Sequence, residues 1–282
     1  VSRRIYCGDN LAILKTLPER TFRLMYIDPP FNTGRRQRRR QLRTVRDEEG
    51  ERVGFQGKRY RSELLGERAF DDRFADYEAF LRPRLERARQ LLTADGSFFF
   101  HSDYREVHYC KVLLDRIFGR DCFMNEIIWA YDYGARSKSR WPTKHDNLLW
   151  YVMNPGDYVF NHEASDRIPY MAPGLVTAEK AARGKTPTDV WWLTIVSPTG
   201  KEKTGYPTQK PLKLLERIIA VHSDAGDQAL DFFAGSGTTG VAALRLGRGF
   251  TLIDNNPEAI RVMRARLEAA DPQVICHDQH RG

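Results

Sequence analysis

The chain has 282 residues, 41% of them hydrophobic, and a formal net charge of +8 at pH 7. That length fits one large α/β domain with an insertion and leaves little room for a second enzyme. No stretch reaches the ~20 apolar residues of a membrane span, residues 1–20 lack a signal-peptide core, and the four cysteines are scattered without a C-x-x-C pair, which argues against membrane, disulfide-scaffold and structural zinc classes.

Taken in chain order, residues 3–7 read as a short strand, followed by Gly8-Asp9-Asn10 and a helix over 11–17. The apolar run 22–27 reads as a buried strand and ends on Asp28-Pro29-Pro30-Phe31. A carboxylate, two rigid prolines and an aromatic ring at a strand mouth suit an exocyclic amino group on a flat ring. The carboxylate accepts one N–H, a backbone carbonyl beside the prolines accepts the other, and the ring stacks on the base. An amine held this way has its lone pair drawn out of conjugation and aimed at an electrophile.

Residues 34–68 are polar, charged and poorly periodic, which predicts a long functional loop. Arg35, Arg36, Arg38, Arg39, Arg40, Arg43 and Arg46 crowd into it. A solvated, mobile loop and a phosphate-gripping arm both fit this composition, and they are compatible if the arm orders on binding. Its position, growing from the loop that would bear the target base, favours the arm.

Helical spacing covers 77–92, with Pro83 inside it; 96–101 reads as a buried strand and 106–118 as an amphipathic helix. Strands are expected at 124–129 and 147–153. Between them, 131–145 is rich in Arg, Lys, Tyr and Trp, and 154–204 shows little period. The pair Trp191-Trp192 reads as packing. His101-Ser102-Asp103 does not read as a catalytic triad, because adjacent residues of an extended chain point to opposite sides. A structural role at a strand end, or a place at a cofactor's edge, suits it better. Helices over 211–222, 238–246 and 257–267 alternate with strands over 229–233 and 249–253. Such alternation predicts an α/β fold, a mostly parallel sheet covered on both faces, with ligands at the carboxyl ends of strands.

Gly235-x-Gly237-x-x-Gly240 follows a strand and opens a helix, with Asp254 at the end of the next strand. Alone, this matches a dinucleotide fingerprint. Asp231, four residues before the first glycine, would sit badly beside a pyrophosphate and well beside an ammonium or sulfonium. S-adenosylmethionine carries both cations and no phosphate. The competing structural reading is that Asp231 hydrogen-bonds its own loop.

Asp-Pro-Pro-Phe at 28–31, Phe-x-Gly-x-Gly at 233–237 and Pro-Thr-Gln-Lys-Pro at 207–211 together strongly resemble the DNA amino-methyltransferases of bacterial restriction–modification and orphan systems. The catalytic motif precedes the cofactor motif, as in the circularly permuted β group, and the run from Tyr26 to Gly34 is close to adenine-modifying members. The resemblance spans nearly the whole chain. It implies a Rossmann-like S-adenosylmethionine-dependent methyltransferase fold whose two motif strands are neighbours. Asp28, Pro29, Pro30 and Phe31 would form the target-amine site. Asp231, Phe233, Gly235 and Gly237, with Ser236 and Thr238 of the same turn, would line the methionine part of the cofactor. Asp254, with Asn255, would reach its ribose, and Asp9, Asp28, Gln209 and Lys210 would flank it.

The same resemblance implies a catalytic half over 1–130, a target-recognition region over 131–203 and a cofactor-binding half over 204–282. Arg136, Lys138, Arg140 and Lys144, with Trp141 interleaved, are candidate phosphate or guanine contacts beside Arg35 to Arg40. The expected partner is double-stranded DNA, with a homodimer and a separate restriction endonuclease as further expectations and a cytoplasmic, nucleoid-associated location. Cytosine-N4 methylation, the same chemistry on a different ring, is the nearest alternative; that group more often has serine in place of Asp28, with exceptions. A protein-glutamine or RNA amine methyltransferase, a catalytically silent DNA-binding subunit and a nicotinamide enzyme stand further off. No metal site is expected.

Overall fold

The computed structural model describes residues 1–47, 52–53, 59–133, 136–197 and 200–277, and for 35–44, 46, 52–53 and 62–72 the backbone alone. Its elements, in order, are β1 (Arg3–Cys7), α1 (Asn10–Thr16), β2 (Phe22–Ile27), β3 (Arg35–Arg46), β4 (Arg52–Val53), β5 (Arg59–Asp72), α2 (Tyr77–Leu91), β6 (Leu92–Ser102), α3 (Val107–Phe118), β7 (Phe123–Ala130), β8 (His145–Val152), α4 (Ala178–Arg183), β9 (Val190–Trp192), α5 (Leu212–His222), β10 (Gln228–Asp231), α6 (Thr238–Arg245), β11 (Gly249–Asp254), α7 (Pro257–Leu267) and β12 (Gln273–Cys276).

Among the described residues, nine strands form one sheet in the order β12-β1-β11-β10-β2-β6-β8-β7-β9. Every pairing is parallel except those of β8 with β6 and β7. The mostly parallel α/β architecture expected from the alternating pattern is therefore observed. The central strands are long apolar runs because both faces are covered: Leu24, Met25, Tyr26, Ile27, Phe98, Phe99 and Phe100 are all buried. α5 packs its Leu214, Leu215, Ile218 and Ile219 into this core.

β10 lies directly beside β2, with Leu230 opposite Met25. From these two strands the chain leaves in opposite directions, towards β11 on one side and β6 on the other. The carboxyl ends of β2 and β10 thus border the topological switch point, the place where such sheets bind ligands. The two motifs, far apart in sequence, begin there together.

Residues 34–68 depart from the expected irregular loop. β3 and β5 pair antiparallel over most of that length, and β4 adds a short third strand. The pairing sets Arg35 opposite Asp72, Arg36 opposite Asp71, Arg40 opposite Glu67 and Arg43 opposite Glu63. A strand so rich in arginine has no apolar alternation, so hydrophobic periodicity does not find it. The chain divides into two compact units, one of residues 30–77 and one of 1–29 with 78–282. Residues 131–203 belong to the larger unit.

Two short strands also escaped the sequence reading. β9 arises where no period was evident, and β12 pairs with β1 at the sheet's edge. On β9 the pleat separates the tryptophan pair: Trp191 is buried and Trp192 is 71% exposed.

Candidate active site

Asp28 follows the last residue of β2 and is fixed from one side. Its Oδ2 meets Lys210 Nζ at 2.6 Å, an ion pair between a side chain 17% exposed and one 10% exposed. Its Oδ1 is buried and has no hydrogen-bond partner. A buried carboxylate oxygen left unpaired costs stability, and such exceptions point to a ligand acceptor. Lys210 is the lysine of the Pro-Thr-Gln-Lys-Pro run. The resemblance sets it beside the cofactor, and in the structure it pairs with Asp28. Gln209 fastens its own loop, accepting from the Thr204 backbone N–H at 2.9 Å and its hydroxyl at 2.8 Å, and donating to the Glu202 carbonyl at 2.9 Å.

Asp28 and Pro29 belong to the larger compact unit, and Pro30 and Phe31 open the smaller one. Within the latter, the Tyr77 hydroxyl donates to the Pro30 carbonyl at 2.5 Å. One backbone carbonyl of the proline run thus already accepts a hydrogen bond.

The glycine turn after β10 is held from within. Asp231, 3% exposed, accepts from the Phe233 backbone N–H at 3.0 Å and from the Thr239 hydroxyl at 2.6 Å. Its two oxygens therefore fasten the turn, the loop-bonding role the sequence had set second. Asp254, at the end of β11, accepts from the backbone N–H of Gly235 and of Asn256, each at 2.8 Å. Gly237 has φ +73°, and a Cβ there would lie 2.6 Å from Met263 Cγ. Ser236 and Thr238 exchange a hydroxyl hydrogen bond at 3.1 Å, and Arg266 donates to the Ser236 carbonyl at 2.8 Å.

On the amino-terminal side, Asp9 caps α1 by accepting from the Ala12 backbone N–H at 2.9 Å. Arg84 of α2 reaches Asp9 at 3.2 Å and Asn10 Oδ1 at 2.7 Å, and Asn10 donates to the Phe232 carbonyl at 2.8 Å. The Gly-Asp-Asn segment and the glycine turn are thereby tied together. Arg84 and Asn10 were not singled out from the sequence, and an arginine inside a helical pattern gives no signal of such a role.

Several acidic groups converge at this edge. Burial pushes the Asp231 carboxyl up to about 7, and the charges of Asp28 and Asp254 add to the rise, against hydrogen bonds from Thr239 and Phe233 that lower it. Asp254 is also raised, chiefly by burial. A site crowded with carboxylates repels a pyrophosphate and favours a cation. The residues therefore fit a cofactor bearing an ammonium and a sulfonium, and the tight glycine turn leaves its backbone open to close approach.

The β7–β8 connection leaves the sheet at the same carboxyl edge, since Ala130 pairs with His145 and Asn147 with Ser102 of β6. On it, Arg136, Lys138, Arg140 and Trp141 are exposed and Lys144 is half-buried. Arg140 reaches the Tyr104 hydroxyl at 3.5 Å. The side chains of Arg35, Arg36, Arg38, Arg39 and Arg40 lie outside the described residues.

Three further groups gather near Asp28. His101, fully buried on β6, meets the Tyr26 hydroxyl through Nδ1 at 2.6 Å and Asp146 through Nε2 at 3.1 Å. The side chains that meet come from β6, β2 and β8. The sequence marks His101 as a strand-end residue and Tyr26 as the start of the catalytic run, but nothing in it marks Asp146.

The DNA methylase family N6_N4_Mtase matches residues 22–265. The chain is 28% identical over 277 residues to the DNA adenine methyltransferase YhdJ of Escherichia coli K12, covering 95% of this chain and 84% of that one. It is 27% identical over 269 residues to the Type II methyltransferase M.HpaI of Haemophilus parainfluenzae, covering 95% and 75%. Among solved structures, the PvuII cytosine-N4-specific DNA methyltransferase aligns with a TM-score of 0.64 at 17% identity, covering 100% of this chain and 89% of that one, a likeness of fold. The chain belongs to the N6_N4_Mtase family of DNA methylases, S-adenosylmethionine-dependent enzymes that methylate the exocyclic amine of adenine or cytosine.

Proposed function

We infer that the enzyme methylates the N6 amine of adenine in double-stranded DNA. The observation that carries this reading is the unpartnered, buried Oδ1 of Asp28, an acceptor whose sister oxygen is locked by Lys210. An aspartate rather than a serine opens the Pro-Pro-Phe motif, and the relative YhdJ is named an adenine methyltransferase.

S-adenosylmethionine, when bound, supplies an electrophilic methyl group. The residues of the glycine turn from Asp231 to Thr238, with Asp9, Asp254 and Asn255, would hold it. The base must first leave the duplex, at a cost of a few kcal/mol, and Phe31 would replace part of the lost stacking, worth ~1–3 kcal/mol. Asp28 Oδ1 then accepts an N–H of the amine, aligns its lone pair and stabilises the positive charge that grows on nitrogen. Lys210 keeps the carboxylate from rotating.

The segment 131–203 would read the target sequence, and the basic groups at 136–144 would grip phosphates. A homodimer, a separate restriction endonuclease chain and association with the nucleoid complete the proposal. Among the described residues no helix is long and apolar enough to cross a membrane.

Mass spectrometry of nucleosides from unmethylated DNA incubated with the enzyme and S-adenosylmethionine tests the central reading. N6-methyladenine supports it. N4-methylcytosine would retain the chemistry and overturn the choice of base. Light scattering measures the oligomeric state separately.

A further inference from the structure

Asp28 is backed by a layer of polar groups that holding an amine does not by itself require. His101 has no exposed surface, and its Nδ1 stands 3.9 Å from Asp28 Oδ1, beyond hydrogen-bond length. Instead Nδ1 meets the Tyr26 hydroxyl at 2.6 Å, and Nε2 meets Asp146 Oδ2 at 3.1 Å. The indole of Trp129 packs edge-on against the ring at 5.5 Å, which restrains its rotation.

Asp146 stays ionised. Burial alone would raise its carboxyl, but the His101 hydrogen bond, Lys210 and the Tyr131 hydroxyl bring it below the ordinary value. An ionised carboxylate only accepts, so the Nε2 facing it carries the hydrogen. A neutral ring protonated at Nε2 offers a lone pair at Nδ1, which the Tyr26 hydroxyl is placed to meet as donor. No N–H of the imidazole is then directed at Asp28.

We propose that Asp146 acts as a positioning residue through His101: it locks the imidazole as the Nε2–H tautomer, so that no donor faces Asp28 Oδ1 and that oxygen stays free for the target amine. The other tautomer would present an Nδ1–H a small side-chain movement away from Oδ1, where it would occupy the acceptor that the substrate needs. The proposal rests on the reading of Asp28 as the amine acceptor and adds how that acceptor is kept vacant. It applies equally to adenine and cytosine.

Two measurements test it. Nitrogen NMR of the free, histidine-labelled protein reads the tautomer of His101 without any substrate. Nε2–H is expected, and Nδ1–H in the wild type overturns the proposal outright. The second uses Asp146→Asn, whose amide can donate to Nε2 while its oxygen keeps the Tyr131 hydroxyl. The tautomer should switch, and kcat/KM for DNA should fall about ten- to a hundredfold, with the dissociation constant for S-adenosylmethionine unchanged.

A switched tautomer with unchanged kcat/KM would overturn the proposal. Placed in a His101→Phe background, Asp146→Asn should cost nothing further, and an additional loss there would equally overturn it. If Asp146→Asn does not fold, the wild-type tautomer still decides. A wild-type enzyme that transfers no methyl group would instead sink the acceptor reading and leave the tautomer result standing.

Discussion

The ammonium of Lys210 lies 2.6 Å from one oxygen of Asp28, while the other oxygen of the same carboxylate, buried, meets no donor. The asymmetry divides the side chain into an anchored half and a working half. Replacing the working group should remove catalysis selectively. Asp28→Ala is expected to abolish methyl transfer while leaving the dissociation constant for S-adenosylmethionine within a few-fold of wild type. Near-normal turnover by that variant would refute the mechanism.

The anchored half can be tested from the other side. Lys210→Met removes the cation and frees the carboxylate to rotate, leaving a largely buried charge without its partner. A loss of about 2–4 kcal/mol of transition-state stabilisation is expected in kcat. Circular dichroism should show the fold retained, and a kcat equal to wild type would show that Lys210 does not orient Asp28.

Asp231 links stability and cofactor binding to pH. Its carboxyl is pushed up to about 7 by burial, whereas in the unfolded chain it titrates near ~3.9. Between those values the folded state holds the extra proton, so the contribution of Asp231 to stability falls as pH rises from about 4 to about 7. The free protein should accordingly melt at a higher temperature at pH 6 than at pH 8 through this group, and Asp231→Asn should remove that part of the difference. A cationic cofactor favours the ionised carboxylate, so binding near pH 6.5 should release a proton. Calorimetry in buffers of different ionisation enthalpy would detect it, and the release should vanish in Asp231→Asn.

Gly237 adopts φ +73°, and an added Cβ would meet Met263 Cγ at 2.6 Å. Gly237→Ala combines left-handed strain with overpacking, each of order 1–3 kcal/mol. A clear fall in melting temperature and weaker cofactor binding are expected. An unchanged thermal transition would show that the turn is more pliant than its packing implies.

The basic groups on the β7–β8 connection should contribute mainly through phosphates. Arg140→Ala is expected to weaken DNA binding similarly for cognate and unrelated duplexes and to reduce the salt slope by about 1. A loss confined to the cognate sequence would instead make Arg140 a base-reading residue.

Asp28-Pro29-Pro30-Phe31 and the glycine turn at 235–240 were legible in the sequence because each is a local device. A carboxylate followed by rigid prolines, or glycines at positions needing left-handed backbone, leaves its mark in consecutive residues. The alternation of apolar runs with helical spacing was equally local and led to the parallel sheet. The pairing of β3 with β5 was hidden because a run so rich in charge carries no apolar rhythm, and the register that sets Arg40 opposite Glu67 joins residues far apart in sequence.

The chemistry around Asp28 belonged to tertiary structure alone. Lys210 lies just before α5, His101 near the end of β6 and Asp146 near the start of β8, and no short-range pattern connects them with the end of β2. Sheet order brought these side chains together, and burial then gave their hydrogen bonds and charges the strength to act on one another. The sequence by itself determined the reaction class and the sheet, since both rest on neighbouring residues. Which oxygen of Asp28 is held and which is left free was decided by packing between distant strands, because a carboxylate has no preferred orientation until its surroundings supply one.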